Sequence, residues 1–417
     1  MRALYRILAL TFCLVVISCI FGDFGTLFQV KTKVEDFFRD EKDRNPSVKV
    51  MASSLVSTQS LVHLEGGTQE PNATPIDTSS TEVHVLVWTR WWWPVPNGQL
   101  TECKTSKCYL TSDRTLQKQS NAVVFHSRTM DWDDLPTHRD QDQNYVFSNY
   151  EPPYRTGGDF TADWKTHYFN MTMTYRRDSD VHAPYGIIQN RRSPLRFDLK
   201  ELAAKKTKLA AWMVGNCHTP DGREVLVEEL QKQITVDVYG NCGALKCDKD
   251  NTAFNNPSTC GSIFERNYKF YFSFENHMCR DYVSEKFFLR LQRYLVPVVL
   301  ERKNFVHFCP EYEKPWFIAV DDFKSITKLA DYLKYLHKNS TAYYEYLSWH
   351  EHYETVVYLN SDTNTLTNNH WCELCAALAE KKQGKMTGKN IMEWWRKDAC
   401  DVTNKLFHDY IWTCKFC

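Results

Sequence analysis

Short apolar runs with a period near two punctuate this chain and predict strands. They are VHVLVW from Val83, Ala122–Phe125, Asn144–Phe147, FNMTMTY at Phe169–Tyr175 and YKFYFSF at Tyr268–Phe274. In the last, Tyr268, Phe270, Phe272 and Phe274 alternate with Lys269, Tyr271 and Ser273, which predicts one face in a core. A helix follows, opened by Asp281, Ser284, Glu285 and Lys286 and striped by Phe287, Phe288, Leu291 and Leu295. Polar groups therefore collect where a strand ends and a helix begins, a place that suits a phosphate or diphosphate. An ordinary capped turn carries the same pattern.

A second block repeats the theme. LAAWMV (Leu209–Val214) reads as a strand, the loop GNCHTPDGRE leads to a helix over Gly222–Gln233, and ITVDVYG (Ile234–Gly240) reads as the next strand. This β-loop-α-β order predicts a parallel, Rossmann-like unit. Arg223 opens its helix as Lys286 opens the later one, within reach of an anionic ligand. LVPVVL (Leu295–Leu300) and FIAVDDF (Phe317–Phe323) add strands, and Ser325–Lys338 and Tyr343–Tyr353 add helices.

The polar tracts divide the chain. Arg2 and Arg6 precede an apolar run from Ile7 to Phe28, long enough to span a bilayer as a retained signal-anchor with the remainder lumenal. A cleaved signal is the alternative. The segment 29–81 lacks periodicity and reads as a flexible stem. The expected plan is a tail at 1–6, an anchor at 7–28, the stem, one domain at 82–205, a second, Rossmann-like one at 206–365, and a cysteine-rich segment at 366–417.

At 417 residues and 43% apolar composition there is material for two cores. Lys plus Arg and Asp plus Glu both count 51, so no basic field recruits nucleic acid. Of 15 cysteines, Cys13 and Cys19 lie in the anchor, leaving an odd number for an oxidising compartment. At least one is then unpaired or joined to another chain, which leaves room for a disulfide-linked or non-covalent homodimer. Sequons at Asn72, Asn170 and Asn339 agree with secretion.

Candidate chemistry is sparse. Glu151 stands at a strand end before Pro152 and Pro153, where a carboxylate in a cleft is a candidate general base and equally an ordinary solvated side chain. Asp178-Ser179-Asp180 has a metal-binding spacing, but Arg176 and Arg177 precede it and favour a salt-bridged turn. His350 and His352 read as surface histidines, the Cys372/Cys375 pair as structural disulfides, and the tryptophans of RWWWP at Arg90–Pro94 as packing or a sugar platform.

Taken in order, CYLTSDR, VVFHSR, YFNMTMTYRRDSDVHAPYG, KLAAWMV, VDVYG, YKFYFSFENHMCRDYVSEK, VPVVL and AVDDF resemble the α1,3-fucosyltransferases of glycosyltransferase family 10. The tail WCELCAAL and EWWRKDAC looks most like invertebrate members. The resemblance implies a GT-B fold of two Rossmann-like domains facing across a cleft, type II topology in the Golgi membrane, and inverting transfer of fucose from GDP-fucose to the 3-hydroxyl of GlcNAc in glycoprotein or glycolipid glycans. It implies Glu151 as base, although the usual Glu-Ser-Pro reads Glu-Pro-Pro here. Arg223, Glu275, Asn276, Tyr282, Glu285 and Lys286 match donor-binding positions, and His126 and Arg128 fall in a segment tied to acceptor choice. No metal or cofactor is obligatory by this resemblance, though Mn2+ could stimulate. It also implies that Cys108 and Cys103 join Cys372 or Cys375, with Cys400, Cys414 and Cys417 supplying a further bridge. The acceptor stays open between the innermost N-glycan GlcNAc and antennal LacNAc or LacdiNAc. A catalytically silent carbohydrate-binding protein is the reading from another class.

Overall fold

Two parallel sheets carry the chain in a computed structural model that describes residues 82–91, 95–248, 259–311, 315–360, 365–366, 369–381 and 384–400. The anchor, the stem, Asn72, Trp92–Pro94, Cys414 and Cys417 lie outside the described residues. Among those described, no helix is long and apolar enough to cross a membrane.

The first sheet contains β1 (Glu82–Val87), β2 (Gly98–Leu100), β3 (Lys107–Thr111), β4 (Ala122–His126), β5 (Asn144–Asn149), β6 (Met171–Thr174) and β7 (Val181–His182), in the order β2-β3-β1-β4-β5-β6-β7. All neighbours run parallel except β2 against β3. β8 (Gly186–Asn190) leaves this sheet to pair with a distant strand. The second sheet contains β9 (Lys208–Met213), β10 (Val236–Tyr239), β11 (Tyr268–Phe272), β12 (Val296–Val299) and β13 (Ile318–Ala319), in the fully parallel order β10-β9-β11-β12-β13. Both sheets reverse strand order beside their first strand, between β1 and β4 and between β9 and β11. Open parallel sheets bind ligands at the carboxyl side of such a reversal.

The alternation at Tyr268–Phe274 does not mark a half-exposed strand. Every residue of β11 is buried, because helices cover both faces of a parallel sheet. Phe270, Phe272 and Phe274 enter one core, whereas Tyr271 joins a second one around Phe264 of the helix Cys260–Asn267. Lys269 escapes by donating its Nζ to the His337 carbonyl at 2.7 Å. The next helix is shorter than expected, Glu285–Gln292, so Leu295 packs from beyond its end. Its Phe287, Phe288 and Leu291 belong to the core of the first sheet, which thus grips the second lobe through this helix.

Three further readings change. The predicted helix at Tyr343–Tyr353 ends early: Ser340–Glu345 is helical, Ser348–Glu351 is a tight turn, and β14 (Tyr353–Val357) pairs antiparallel with β8. The run Thr355-Val356-Val357 is β-branched and favours the pleated edge. His350 is not at the surface. It is 2% exposed, stacked 3.6 Å from the Trp349 ring and 4.7 Å from Tyr294, and burial holds its pKa well below the usual histidine value. Cys400 pairs with Cys279, because the C-terminal segment runs back against the loop after β11, where Arg280 N donates to Ala399 O.

Cys103 pairs with Cys372 and Cys108 with Cys375, seating the helix Asn369–Ala379 on the first sheet. Cys217–Cys242 and Cys247–Cys260 brace the second. Cys309 is the free cysteine among the described residues. Leu199 and Ala203 of the helix Leu199–Lys205 already belong to the second core. Half-buried Asn170 accepts from Tyr145 N through its Oδ1, and its carbonyl accepts from Met386 N. Asn339 caps Ser340–Glu345 and donates its Nδ2 to Tyr335 Oη.

Candidate active site

The carboxyl ends of β4 and β5 deliver the first half of the site. Asn149, the last residue of β5, accepts the Glu151 N–H on its Oδ1 and turns the chain. Pro152 is extended and Pro153 opens a tight turn closed by Arg155 N donating to Pro152 O at 2.7 Å. Glu151 is therefore held by its backbone while its carboxylate stays about one-third exposed, 3.5 Å from Arg128 Nη1. Burial raises its pKa, against the pull of Lys286 and then Arg128. Gly157 lies so close to the Arg128 carbonyl that a Cβ there would meet it at 2.3 Å, which fixes the two loops together.

Arg128 and His126 part company. His126 ends β4 with its side chain turned inward, 1% exposed, edge-on to Trp91 at 5.1 Å. Burial, with Arg128 nearby, lowers its pKa to about 4, so it is a neutral core residue and not an acceptor contact. Trp91 is likewise core, packed on Tyr150 and Trp371.

The second half comes from the loops after β9 and β11. Arg223 is 4% exposed and sits under the surface. Its Nη1 donates to Phe274 O at 2.6 Å and its Nη2 to Asn216 O at 3.5 Å, tying the two loops to each other. Asp221 adds a second tie by accepting Met278 N at 2.5 Å. Glu275 is buried too. Its Oε1 accepts Ser284 N at 2.7 Å, and its Oε2 accepts Ser284 Oγ at 2.9 Å and Lys286 Nζ at 3.0 Å. One carboxylate thus takes an N–H at the start of the helix and orients the lysine in its first turn. The helix N-terminus is consequently not bare, and the charge it presents is that of Lys286.

Lys286 remains about one-quarter exposed, 2.8 Å from Ser284 Oγ and 3.4 Å from Glu285 Oε1. Burial disfavours its charge, but Glu275 and Glu285 outweigh that and raise its pKa. Glu285 shows the reciprocal effect, its pKa lowered by Lys286 against the opposing push of burial. Tyr282 is 3% exposed, its ring 5.0 Å from Tyr175 and 6.2 Å from Tyr185, with its hydroxyl held neutral by burial. Asn276 keeps a buried Oδ1 with no protein partner.

The structure therefore brings Glu151, Arg128, Lys286, Glu275, Glu285 and Tyr282 into one electrostatic neighbourhood, with Arg223 beneath it. Reading the sequence missed the ties made by Asp221 and Ser284. It also missed the loop's fastening to the Arg176–Asp180 turn. Arg177 Nε lies 3.0 Å from Asp281 and Arg280 2.6 Å from Asp178, while Asp178 also pairs with Arg176. Asp281 has φ 62°, a left-handed conformation held by those partners and by Asn304 Oδ1 accepting its N–H. The adjacent opposite charges of RRDSD were the available signal. Among the described residues, no cluster of three His, Cys, Asp or Glu could hold a metal ion.

Known proteins align with this arrangement over most of the chain. Residues 80–186 match the family model described as fucosyltransferase, N-terminal, and residues 203–394 match glycosyltransferase family 10 (fucosyltransferase) C-term. The alpha-(1,3)-fucosyltransferase fut-1 of Caenorhabditis elegans is 33% identical over 74% of this chain and 68% of its own length. Alpha-(1,3)-fucosyltransferase C of Drosophila melanogaster is 31% identical over 77% and 79%. The rat 4-galactosyl-N-acetylglucosaminide 3-alpha-L-fucosyltransferase 9 is 34% identical over 75% and 82%. A crystal structure of an α1,3-fucosyltransferase with GDP is similar at TM-score 0.43 and 16% identity, covering 73% of this chain and 92% of that one. With both family models matched and relatives this similar along most of their length, the chain belongs to glycosyltransferase family 10, the fucosyltransferases.

Proposed function

We propose that this enzyme is an inverting α1,3-fucosyltransferase that moves L-fucose from GDP-fucose to the 3-hydroxyl of a GlcNAc residue, across the cleft of a GT-B fold. The observation that carries the reading is the meeting of Glu151, its pKa raised by burial, with the Lys286–Glu275–Glu285 group from the opposite sheet. Glu151 takes the proton from the GlcNAc hydroxyl as that oxygen bonds to fucose C1. The bond from C1 to the β-phosphate oxygen breaks on the other face, and GDP departs. Negative charge grows on that phosphate, where Lys286 stabilises the transition state more than the ground state. Glu275 and Arg223 act as positioning residues, since both are buried and already bonded within the protein. The five disulfides among the described residues support an oxidising compartment, in keeping with Golgi lumenal placement behind an N-terminal anchor.

The test is Glu151→Gln in purified protein. Fucose transfer to N-acetyllactosamine and to a chitobiose-core glycopeptide should fall by about 10²–10⁴-fold, while GDP-fucose binding by calorimetry is kept. Near-normal turnover of the variant would remove Glu151 from the mechanism, and the preferred acceptor of the wild type would decide between antennal and core transfer.

A further inference from the structure

Three residues beyond Glu151, on the same rigid turn, Tyr154 is the most exposed large apolar side chain among the described residues, at 57%. A tyrosine left open there wants an explanation, because its neighbours Pro152 and Pro153 are buried. The ring is not loose. One face stacks on His277, with centroids 5.4 Å apart and planes 22° from parallel. His277 belongs to the loop after β11, so the pair closes across the mouth of the site from one lobe to the other.

The support is itself fixed. His277 is 5% exposed, and the next residue is anchored by Met278 N donating to Asp221. Burial, then Arg155 and Arg223, lowers the His277 pKa to about 4, so the supporting ring is neutral at physiological pH. Beneath Tyr154 the turn is closed by Arg155 N to Pro152 O and Thr156 N to Pro153 O. The outcome is an aromatic face of fixed orientation beside the proposed base, with the Arg128 and Arg155 guanidinium groups nearby.

A pyranose has an apolar C–H face and a rim of hydroxyls. It matches a flat aromatic face flanked by hydrogen-bond donors, and an aromatic already ordered loses little entropy on binding. Tyr154 rides on the turn that must hold Glu151 against the accepting hydroxyl. We infer that the open face of Tyr154, backed by His277, is the stacking platform for a sugar ring of the acceptor glycan. The inference rests on the transferase reading above.

The experiment measures initial rates for wild type, Tyr154→Ala and Tyr154→Phe, with GDP-fucose as donor and N-acetyllactosamine and a chitobiose-core glycopeptide as acceptors. Tyr154→Ala should raise the acceptor KM about tenfold, close to the truncation of one stacked ring, with the GDP-fucose KM unchanged. Tyr154→Phe should restore the acceptor KM to within about twofold of wild type, since the ring is kept. An unchanged acceptor KM in Tyr154→Ala overturns the platform, as does a rise confined to the GDP-fucose KM, which would place the ring on the donor. A wild type that transfers fucose to neither acceptor counts against the proposed function instead. Both substitutions fall at an exposed position and leave the core untouched, so thermal unfolding should show intact folding in each variant.

Discussion

At the scale of single residues, the site is governed by which carboxylates are spoken for. Glu275 is saturated by Ser284 and Lys286, whereas Glu151 has one long contact to Arg128 and a raised pKa. The proposed base works only when deprotonated, so transfer should be lost as pH falls through the Glu151 pKa, which burial raises from its ordinary value. Arg128 favours the charged form. Arg128→Gln should therefore push the acid limb of kcat/KM to higher pH, by profiles on wild type and variant; a limb that stays put or moves down contradicts this electrostatic account. The sequence made Glu151 visible through its strand-end place and its two prolines, and Lys286 through its place in a helix's first turn. It misjudged His126, because a histidine ending a strand looks the same whether its ring faces solvent or Trp91. Nor could it tell that Arg223 and Glu275 are buried, since burial depends on which loops close over them.

At the scale of elements, the loop from Glu275 to Ser284 is the part on which the proposed donor half depends. Its ends are set by β11 and by the capped helix, and both were legible from apolar spacing and a serine cap. Its middle was not, since that shape comes from distant partners: Asp178 and Arg177 from the turn after β6, and Cys400 from the chain's far end. Cys279 sits in that middle, so the bridge to Cys400 should matter for binding as well as for stability. Replacing both cysteines by serine should raise the GDP-fucose KM about tenfold, or 1.4 kcal/mol, with the acceptor KM little changed. Steady-state kinetics with each substrate varied in turn checks this. Equal losses for the two substrates would mean that the bridge merely holds the fold.

At the scale of the whole molecule, the last described helices return to the sheet that the first described strands built, and two disulfides close that circuit. The second sheet was legible because its β-loop-α-β unit at Leu209–Gly240 writes its own pattern, and the first because its strands are separate short apolar runs. The return was not, since the spacing of Cys372 and Cys375 says nothing about where their partners lie. The bridges Cys103–Cys372 and Cys108–Cys375 span sequence separations of 269 and 267. Each alone restrains nearly the same large loop of the unfolded chain, so their contributions cannot add. Closing such a loop once is worth about 5.5 kcal/mol, whereas adding the second bridge closes only a small ring, worth about 2.5 kcal/mol. Removing either pair should thus cost about 2.5 kcal/mol and removing both about 8 kcal/mol. The Cys108–Cys375 pair should cost somewhat more than its neighbour, because both of its cysteines are fully buried and their loss leaves a void. Denaturant unfolding of the two double variants and the quadruple variant measures all three values. If each pair alone cost as much as both together, the bridges would be acting through native packing and not through the unfolded chain.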